Sequence, residues 1–397
     1  MRAELQGDET TSALPVAVVA GLDVNGLGVV RSLASAGVNT LILETDLSTP
    51  AAATRFGRKL KVPALSGNDF IESLLRIAAG MEQKPVLFLT QEGSVETVAA
   101  AQAELSQYYR FTMPSHDIMA TLLNKAGFQR AAEEMHSAIP RSINLNRNTP
   151  TDAISALRLP CVVKPLTKEE AYSAKFKKAY KVASREELVQ LWQMVKDVAG
   201  EMIVQEWIEG SDSDVYFCLQ YRPRSSPAIS FVGRKICQWP PLVGGTASCV
   251  PAPAARDELV EVTDAFFQRI GFVGLGSMEY KRDTRDGRFY MVEPTVGRTD
   301  YQEEVATLNG VNIPYAAYCA EISRPLPRLD TIAQSRIWRD SISYQKARTA
   351  GAADPASEIS PNAKIVDAYF RVDDPMPFLH LKLEPLARRM RRMLGGS

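Results

Sequence analysis

Histidine is almost missing from this chain of 397 residues: His116, His136 and His380 are the only three, and none falls in a motif described below. A phosphohistidine route or a histidine acid–base relay is therefore a poor reading of its chemistry. Cysteine is sparse too. Cys161, Cys218, Cys237, Cys249 and Cys319 are odd in number and scattered, with no Cys-x-x-Cys pair, which argues against a disulfide framework or a zinc site. Neither sign of charge is in surplus: 46 Lys+Arg stand against 46 Asp+Glu, so no global attraction to nucleic acid or to an anionic membrane is expected. No apolar run approaches the ~20 residues that span a bilayer. The polar, acidic opening MRAELQGDETTSALP lacks the basic-then-apolar pattern of a signal peptide. The expectation is a cytoplasmic protein with no transmembrane segment. What the chain does have is 45% hydrophobic residues, enough for two or three cores.

Those residues are patterned. PVAVVAGL (15–22), NTLILET (39–45) and PVLFLT (85–90) read as buried strands, and VVRSLASAG (29–37) and FIESLLRIAAG (70–80) read as helices between them. This alternation predicts a Rossmann-like α/β domain over 14–112, a parallel sheet with crossover helices. An α+β region follows. It comprises a helical stretch over 116–137, the short strand LPCVVKP (159–165), and a helix over 184–200 opened by a Ser184/Glu187 capping box. Beyond these lie strands at 214–222 and 228–237, a helix at 256–271 and a hairpin at 277–294. The expected divisions are 14–112, 113–200, 201–325 and a C-terminal extension 326–397, in which 346–363 reads as a linker or loop.

Two segments invite a ligand. GLDVNGLG (21–28) is a glycine-rich strand-to-helix turn, the place where a dinucleotide phosphate meets a helix N-terminus, with Glu44 at the next strand end as a candidate ribose partner. Gly21, Gly26 and Gly28 do not have G-x-G-x-x-G spacing, however, so a tight structural turn is the better-supported reading. The hairpin SMEYKRDTRDGRFYMVEP is more informative. Folding it about Asp286 puts Glu279 across from Glu293, with Cβ atoms about 4.5–5.5 Å apart. Opposed carboxylates need a cation between them. A Mg²⁺ or Mn²⁺ ion shared with nucleotide phosphates is one solution, and relief by Lys281 or Arg298 on a solvent-facing pair is the other. Lys164 ends a buried strand, Lys125 sits in a helix, and QEWIEG (205–210) combines extended backbone with an aromatic. Each has an ordinary structural reading when taken alone.

In this order, the helix lysine, V-V-K-P, Q-E-W-I-E-G, M-E-Y-K…D-G-R-F…E-P and a following arginine resemble the ATP-grasp superfamily, over nearly the whole chain to about residue 325. GRKICQWPPLVGGTAS (233–248) and VEPTVGRTDYQEEVA (292–306) are most similar to its carboxylate–amine ligase branch, which includes D-aspartate ligase-like proteins. The resemblance implies a pre-ATP-grasp domain followed by a two-subdomain ATP-grasp fold. It implies that Lys125 and Lys164 contact ATP phosphates and that Gln205, Glu206, Trp207 and Ile208 form an adenine hinge, with Asp212 or Asp214 on the ribose. Glu279 and Glu293 would hold Mg²⁺. Two departures stand out. Thr295 occupies the position where an asparagine is usual, and a lysine-rich KEEAYSAKFKKAYK replaces the glycine-rich flap. Lys175, Lys177, Lys178 or Lys181 would then cover the phosphates.

The implied reaction is ATP-dependent ligation of a small-molecule carboxylate to an amine through an acyl phosphate. Arg298 and Lys235 would face the phosphoryl group or the carboxylate, and Gly244, Gly245 and Thr246 would admit the substrate unless they form a plain turn. A homo-oligomer is compatible with this reading, and nucleic acid is not an expected partner. The alternatives are a non-amine acceptor (thioester or carbamoyl-phosphate type), a non-catalytic nucleotide-binding regulator, and a nicotinamide-dependent dehydrogenase, which leaves the paired glutamates unexplained. Arg388, Arg389, Arg391 and Arg392, set among Leu and Met, are basic groups of a surface helix or of a contact with an anionic surface.

Overall fold

The computed structural model describes residues 14–149, 156–166, 172, 174–177, 179–329, 332–352, 359 and 361–383. The first four strands are β1 (Ala17–Ala20), β2 (Thr40–Glu44), β3 (Arg58–Lys61) and β4 (Val86–Leu89), which form a parallel sheet in the order β3-β2-β1-β4. β1, β2 and β4 are buried on both faces, which is why they read as continuous apolar runs with no alternation. Helix Val24–Ser35 covers one face through Leu27, Val30 and Leu33. Helices Gly67–Ala79 and Glu92–Ala100 cover the other through Phe70, Leu74, Val95 and Val98.

A second, antiparallel sheet has the order β5-β8-β6-β7, from β5 (Ser142–Leu145), β6 (Cys161–Pro165), β7 (Tyr180–Val182) and β8 (Met202–Glu206). Leu188, Leu191, Trp192 and Val195 of helix Arg185–Val195 pack on its inner residues Cys161, Val163, Met202 and Val204. Ser184 caps that helix by accepting from the Glu187 amide. The reciprocal bond runs from the Ala183 amide to the Glu187 carboxylate at 2.7 Å, one residue earlier than a capping box places it.

The third sheet has seven strands in the order β13-β12-β9-β10-β11-β14-β15. These are β9 (Val215–Arg222), β10 (Ile229–Trp239), β11 (Gly245–Pro251), β12 (Gly274–Arg282), β13 (Phe289–Val296), β14 (Arg336–Arg339) and β15 (Lys364–Asp367). β8 lies beyond residue 200, and β14 and β15 lie beyond 325. Both boundaries drawn from the sequence therefore pass through a sheet, because each sheet takes in strands from distant segments of the chain. The first and third sheets share their cores: Leu89 and Met113 cluster with Met278 and Val296, and Val19 and Val30 with Phe217 and Trp338. The polypeptide returns to the first sheet near Asp374, whose buried carboxylate binds Arg31, Thr54 and the Arg55 amide.

Two local breaks place functional groups. The stretch read as one helix over 116–137 divides at Asn124, which is extended (φ −89°, ψ 122°) and caps the next helix by accepting from the Gly127 amide at 2.9 Å. Gly127 permits this, since a Cβ there would lie 2.5 Å from the Thr121 carbonyl oxygen. Lys125 thereby becomes the first residue of helix Lys125–Glu134. The second break is a bulge in the hairpin. Arg282 pairs with Phe289 and Tyr280 with Met291, so the turn is centred between Arg285 and Asp286; the register then shifts and Glu279 pairs with Glu293. Without Val292 as the extra residue, Glu279 would face Val292 instead.

Candidate active site

A cleft of about 200 Å³ opens between helix Lys125–Glu134, the second sheet and the hairpin. Lys125, Lys164, Gln205, Glu279, Glu293, Thr295, Arg298 and Asp300 are all in its wall. Residues from widely separated parts of the sequence thus share one cavity. Lys164 comes from the end of β6, beside β8, and its ammonium lies 3.5 Å from Gln205 Oε1. Glu279 and Glu293 come from facing positions of β12 and β13.

The charge on Glu279 is met by Lys235, a nearly fully buried lysine of β10 whose Nζ lies 2.6 Å from Glu279 Oε2 and 3.3 Å from Gln238 Oε1. Neither Lys281 nor Arg298 plays that part. Lys281 donates to the Ser211 carbonyl, and Arg298 donates to the Thr299 carbonyl at 2.9 Å. Burial raises the Glu279 carboxyl above its ordinary pKa, Lys235 opposes the rise, and the nearby Glu293 and Asp300 add to it. Burial also lowers the Lys281 ammonium, against the pull of Asp214 and Asp212.

At the expected hinge, the Glu206 amide donates to the Arg141 carbonyl and the Trp207 amide to the Pro160 carbonyl, while the Glu206 carboxylate accepts from the Arg158 amide at 2.9 Å. Ile208 is buried. Lys181 lies 4.5 Å over the Trp207 ring and 3.6 Å from Glu209, which ties its ammonium to the hinge. Lys175 and Lys177 are exposed, and Lys178 lies outside the described residues. Asp212 is turned onto the end of β10 and the loop that follows it, and Asp214 is turned into its own loop. Asp212 accepts from the Gln238 and Leu242 amides, both at 2.8 Å, and Asp214 accepts from Ser211.

Gly244 sits where a Cβ would overlap the Trp239 carbonyl carbon at 2.0 Å, so the glycine lets this loop fold back on β10. Gly245 faces open space. Thr246 is buried and donates to Gln302 Oε1 at 3.0 Å. None of the three is in the cleft wall.

Asp300 is an acidic wall residue that the motifs did not single out; Glu92 and Gln129 are in the wall as well. The Asp300 carboxylate accepts from Ser277 Oγ at 2.8 Å, from the Tyr301 amide and from Gln302 Nε2. Behind it lies Glu303, fully buried, with one oxygen without a partner; burial and the adjacent Asp300 push its carboxyl up to about 8. The signal was present in R-T-D-Y-Q-E-E, three acids just after a strand, but nothing in their spacing distinguishes a site from a solvated loop.

The glycine-rich turn is occupied by the protein itself. Asp23 caps helix Val24–Ser35 by accepting from the Gly26 amide, and Glu44 accepts from the Leu22 amide at 2.6 Å. Asn25 exchanges hydrogen bonds with Thr299 and donates to the Thr90 carbonyl. The dinucleotide reading fails here because the groups that would meet phosphate and ribose already have partners. The turn instead anchors the loop that carries Arg298.

No family model matches the chain. It is 25% identical over 318 residues to D-aspartate ligase of Enterococcus faecium (strain Aus0004), covering 75% of this chain and 74% of that protein. Among solved structures, N5-carboxyaminoimidazole synthetase from Staphylococcus aureus aligns with a TM-score of 0.63 at 13% identity, over 81% of each chain. The biotin carboxylase domain of Hydrogenobacter thermophilus 2-oxoglutarate carboxylase, solved with MgADP and bicarbonate, aligns with a TM-score of 0.60 at 13% identity, over 80% of this chain and 72% of that one. The likeness to the solved structures concerns the fold, and the likeness to the ligase concerns the sequence. Both agree with the resemblance that the motifs carry: the fold is like that of these solved structures, and the sequence is similar to that of a D-aspartate ligase.

Proposed function

We propose that the protein is a Mg²⁺-dependent ligase that joins a carboxylate to an amine at the expense of ATP. The observation that carries this reading is the cleft itself, where two lysines from different elements face a pair of opposed glutamates, with an arginine beside them. The lysines supply charge for phosphates, and the hinge around Trp207 supplies a flat apolar edge for a base.

The glutamate pair suits a hard divalent cation. Mg²⁺ takes one or two carboxylates and completes its shell with water and phosphate, so two oxygen donors on facing strands are sufficient. Lys235 meets one of the two charges of this pair at Glu279, and the exposed Glu293 presents the other to the cleft, where a cation can reach it. Bound there, Mg²⁺ would neutralise charge between phosphate oxygens.

In the reaction, a substrate carboxylate oxygen attacks the γ-phosphorus, the bond to the bridging oxygen breaks, and ADP departs. The amine nitrogen then attacks the acyl carbon, inorganic phosphate leaves with its C–O bond broken, and the nitrogen gives up a proton. Lys125 and Lys164 orient the triphosphate. Arg298 stabilises charge on the transferring group, and Lys235, through Glu279, positions the glutamate pair. Thr295 offers a hydroxyl where an amide oxygen is usual, which favours a cation held mainly by the two glutamates.

The relative's name makes D-aspartate the first carboxylate to offer. Incubation with Mg-ATP, hydroxylamine and D-aspartate, then with pools of other carboxylates, should give hydroxamate and ADP in equal amounts. Nucleotide binding with no ADP formed across all pools would contradict the reading and favour a regulatory nucleotide-binding protein.

A further inference from the structure

The acids that the hairpin and its following loop bring to the cleft differ in how their charge is met. Lys235 meets Glu279, and Glu293 is the exposed member of the pair assigned to Mg²⁺. Asp300 has neutral partners: Ser277 Oγ donates to it at 2.8 Å, the Tyr301 amide at 2.8 Å and Gln302 Nε2 at 3.1 Å. Among the described residues no lysine, arginine or histidine pairs with it. Thr246 donates to Gln302 Oε1, which turns the Gln302 amide nitrogen toward Asp300. Ser277, Thr246 and Gln302 are all buried, so Asp300 is held by fixed dipoles and keeps its whole charge at the cleft wall. Behind it, burial and that charge push the Glu303 carboxyl up to about 8, so this part of the wall carries one negative charge at neutral pH and not two.

Ser277 precedes Glu279 by two residues on β12 and pairs with Thr295 as Glu279 pairs with Glu293, so the Ser277 and Glu279 side chains share a face about 7 Å apart. Asp300, bonded to Ser277, thus lies one strand repeat from the glutamate pair. It does not extend that pair into a three-carboxylate metal site, since among the described residues no group of three acidic, histidine or cysteine side chains is placed to hold a metal ion. A negative charge on a cavity wall draws a positive ligand. Of the three substrates in the proposed reaction, the triphosphate and the carboxylate are anions that Asp300 repels. The amine is a cation when protonated, the form in which basic amines arrive near neutral pH.

We propose that Asp300 binds the acceptor: its carboxylate takes the incoming ammonium and makes a basic, cationic amine the acceptor class, an assignment that rests on the ligase reading above. One N–H proton of the bound ammonium passes to the carboxylate oxygen, which frees the nitrogen lone pair for the acyl carbon and leaves Asp300 neutral until it releases that proton to solvent. The experiment compares two kinds of nucleophile on the full-length protein, with Mg-ATP and the carboxylate that gives the most hydroxamate. Hydroxylamine is a weak base, uncharged near neutral pH, whereas ammonium, methylamine, ethylenediamine and amino acids carry a positive charge. Wild type should form amide and ADP with at least one of the cationic amines. Asp300→Asn should lower kcat/KM for that amine about thirtyfold or more beyond any change in hydroxamate formation. A wild-type measurement stands beside the variant: raising NaCl from about 0.05 M to about 0.5 M should raise the KM for the amine about threefold or more relative to that for hydroxylamine. No hydroxamate from wild type with any carboxylate would contradict the ligase reading, and this assignment with it. Hydroxamate with no cationic amine accepted would overturn the assignment alone. Equal losses with both nucleophiles in Asp300→Asn would do the same by giving Asp300 to the metal or to the fold, as would no loss with either. Should that variant not fold, a wild-type KM ratio indifferent to salt overturns the assignment.

Discussion

The glycine-rich turn at 21–28 and the hairpin at 274–296 both resemble ligand sites in sequence, and they differ in where their polar groups are directed. In the turn every candidate group is already bonded within the protein: Asp23 to the Gly26 amide, Glu44 to the Leu22 amide, Asn25 to Thr90 and Thr299. In the hairpin two carboxylates lie side by side on neighbouring strands in the wall of a cleft, with one of them met by a lysine from a third strand. Satisfied groups hold a fold together, whereas opposed groups of like charge are a standing cost that a bound cation relieves. Burial alone does not separate the two regions, since both contain buried carboxyls.

The largest effect that would break this contrast is expected at the hairpin. Glu293→Gln should lower ADP and hydroxamate formation by roughly a hundredfold or more, with little change in thermal stability because Glu293 is exposed. Full activity in that variant would remove the metal assignment. Next comes the turn, where the loss should appear in stability. A Cβ on Gly26 would lie 2.0 Å from the Gly21 carbonyl oxygen, so Gly26→Ala should cost about 2–4 kcal/mol in denaturant unfolding. If it instead left stability intact and weakened nucleotide binding, the turn would be a ligand site after all.

The smallest effect concerns Glu303, a buried group beside the cleft that the proposed chemistry does not use. Burial and Asp300 push its carboxyl up to about 8 in the native state, against an ordinary value of 4.5. Between those two pH values the native protein keeps a proton that the unfolded chain gives up, so stability falls as pH rises through that window. Glu303→Gln removes the slope. Its unfolding midpoint should match wild type near pH 5 and exceed it near pH 8, and an equal difference at both would show that Glu303 is not protonated in the fold.

Much of this was legible in the sequence. The β–α alternation of the first sheet, the capped helix at Ser184 and the Glu279–Glu293 pairing all follow from local pattern. The pairing also needs the bulge at Val292, which the sequence does not announce, because an extra strand residue leaves no compositional mark. Lys235 escaped as the partner of Glu279 for a different reason: β10 reaches β12 only through β9, a neighbour relation set by sheet order. The same holds for β14 and β15, whose place at the edge of the third sheet depends on long-range pairing. Asp300 was illegible because its role comes from a cavity formed by three distant segments.

The most direct test is calorimetric titration of a non-hydrolysable ATP analogue with and without Mg²⁺, on wild type, Lys164→Met and Glu293→Gln. Metal-dependent binding in wild type, weakened by Lys164→Met and stripped of its metal dependence by Glu293→Gln, is the predicted result. Binding that is indifferent to Mg²⁺ and to both substitutions would contradict the assignment of this cleft.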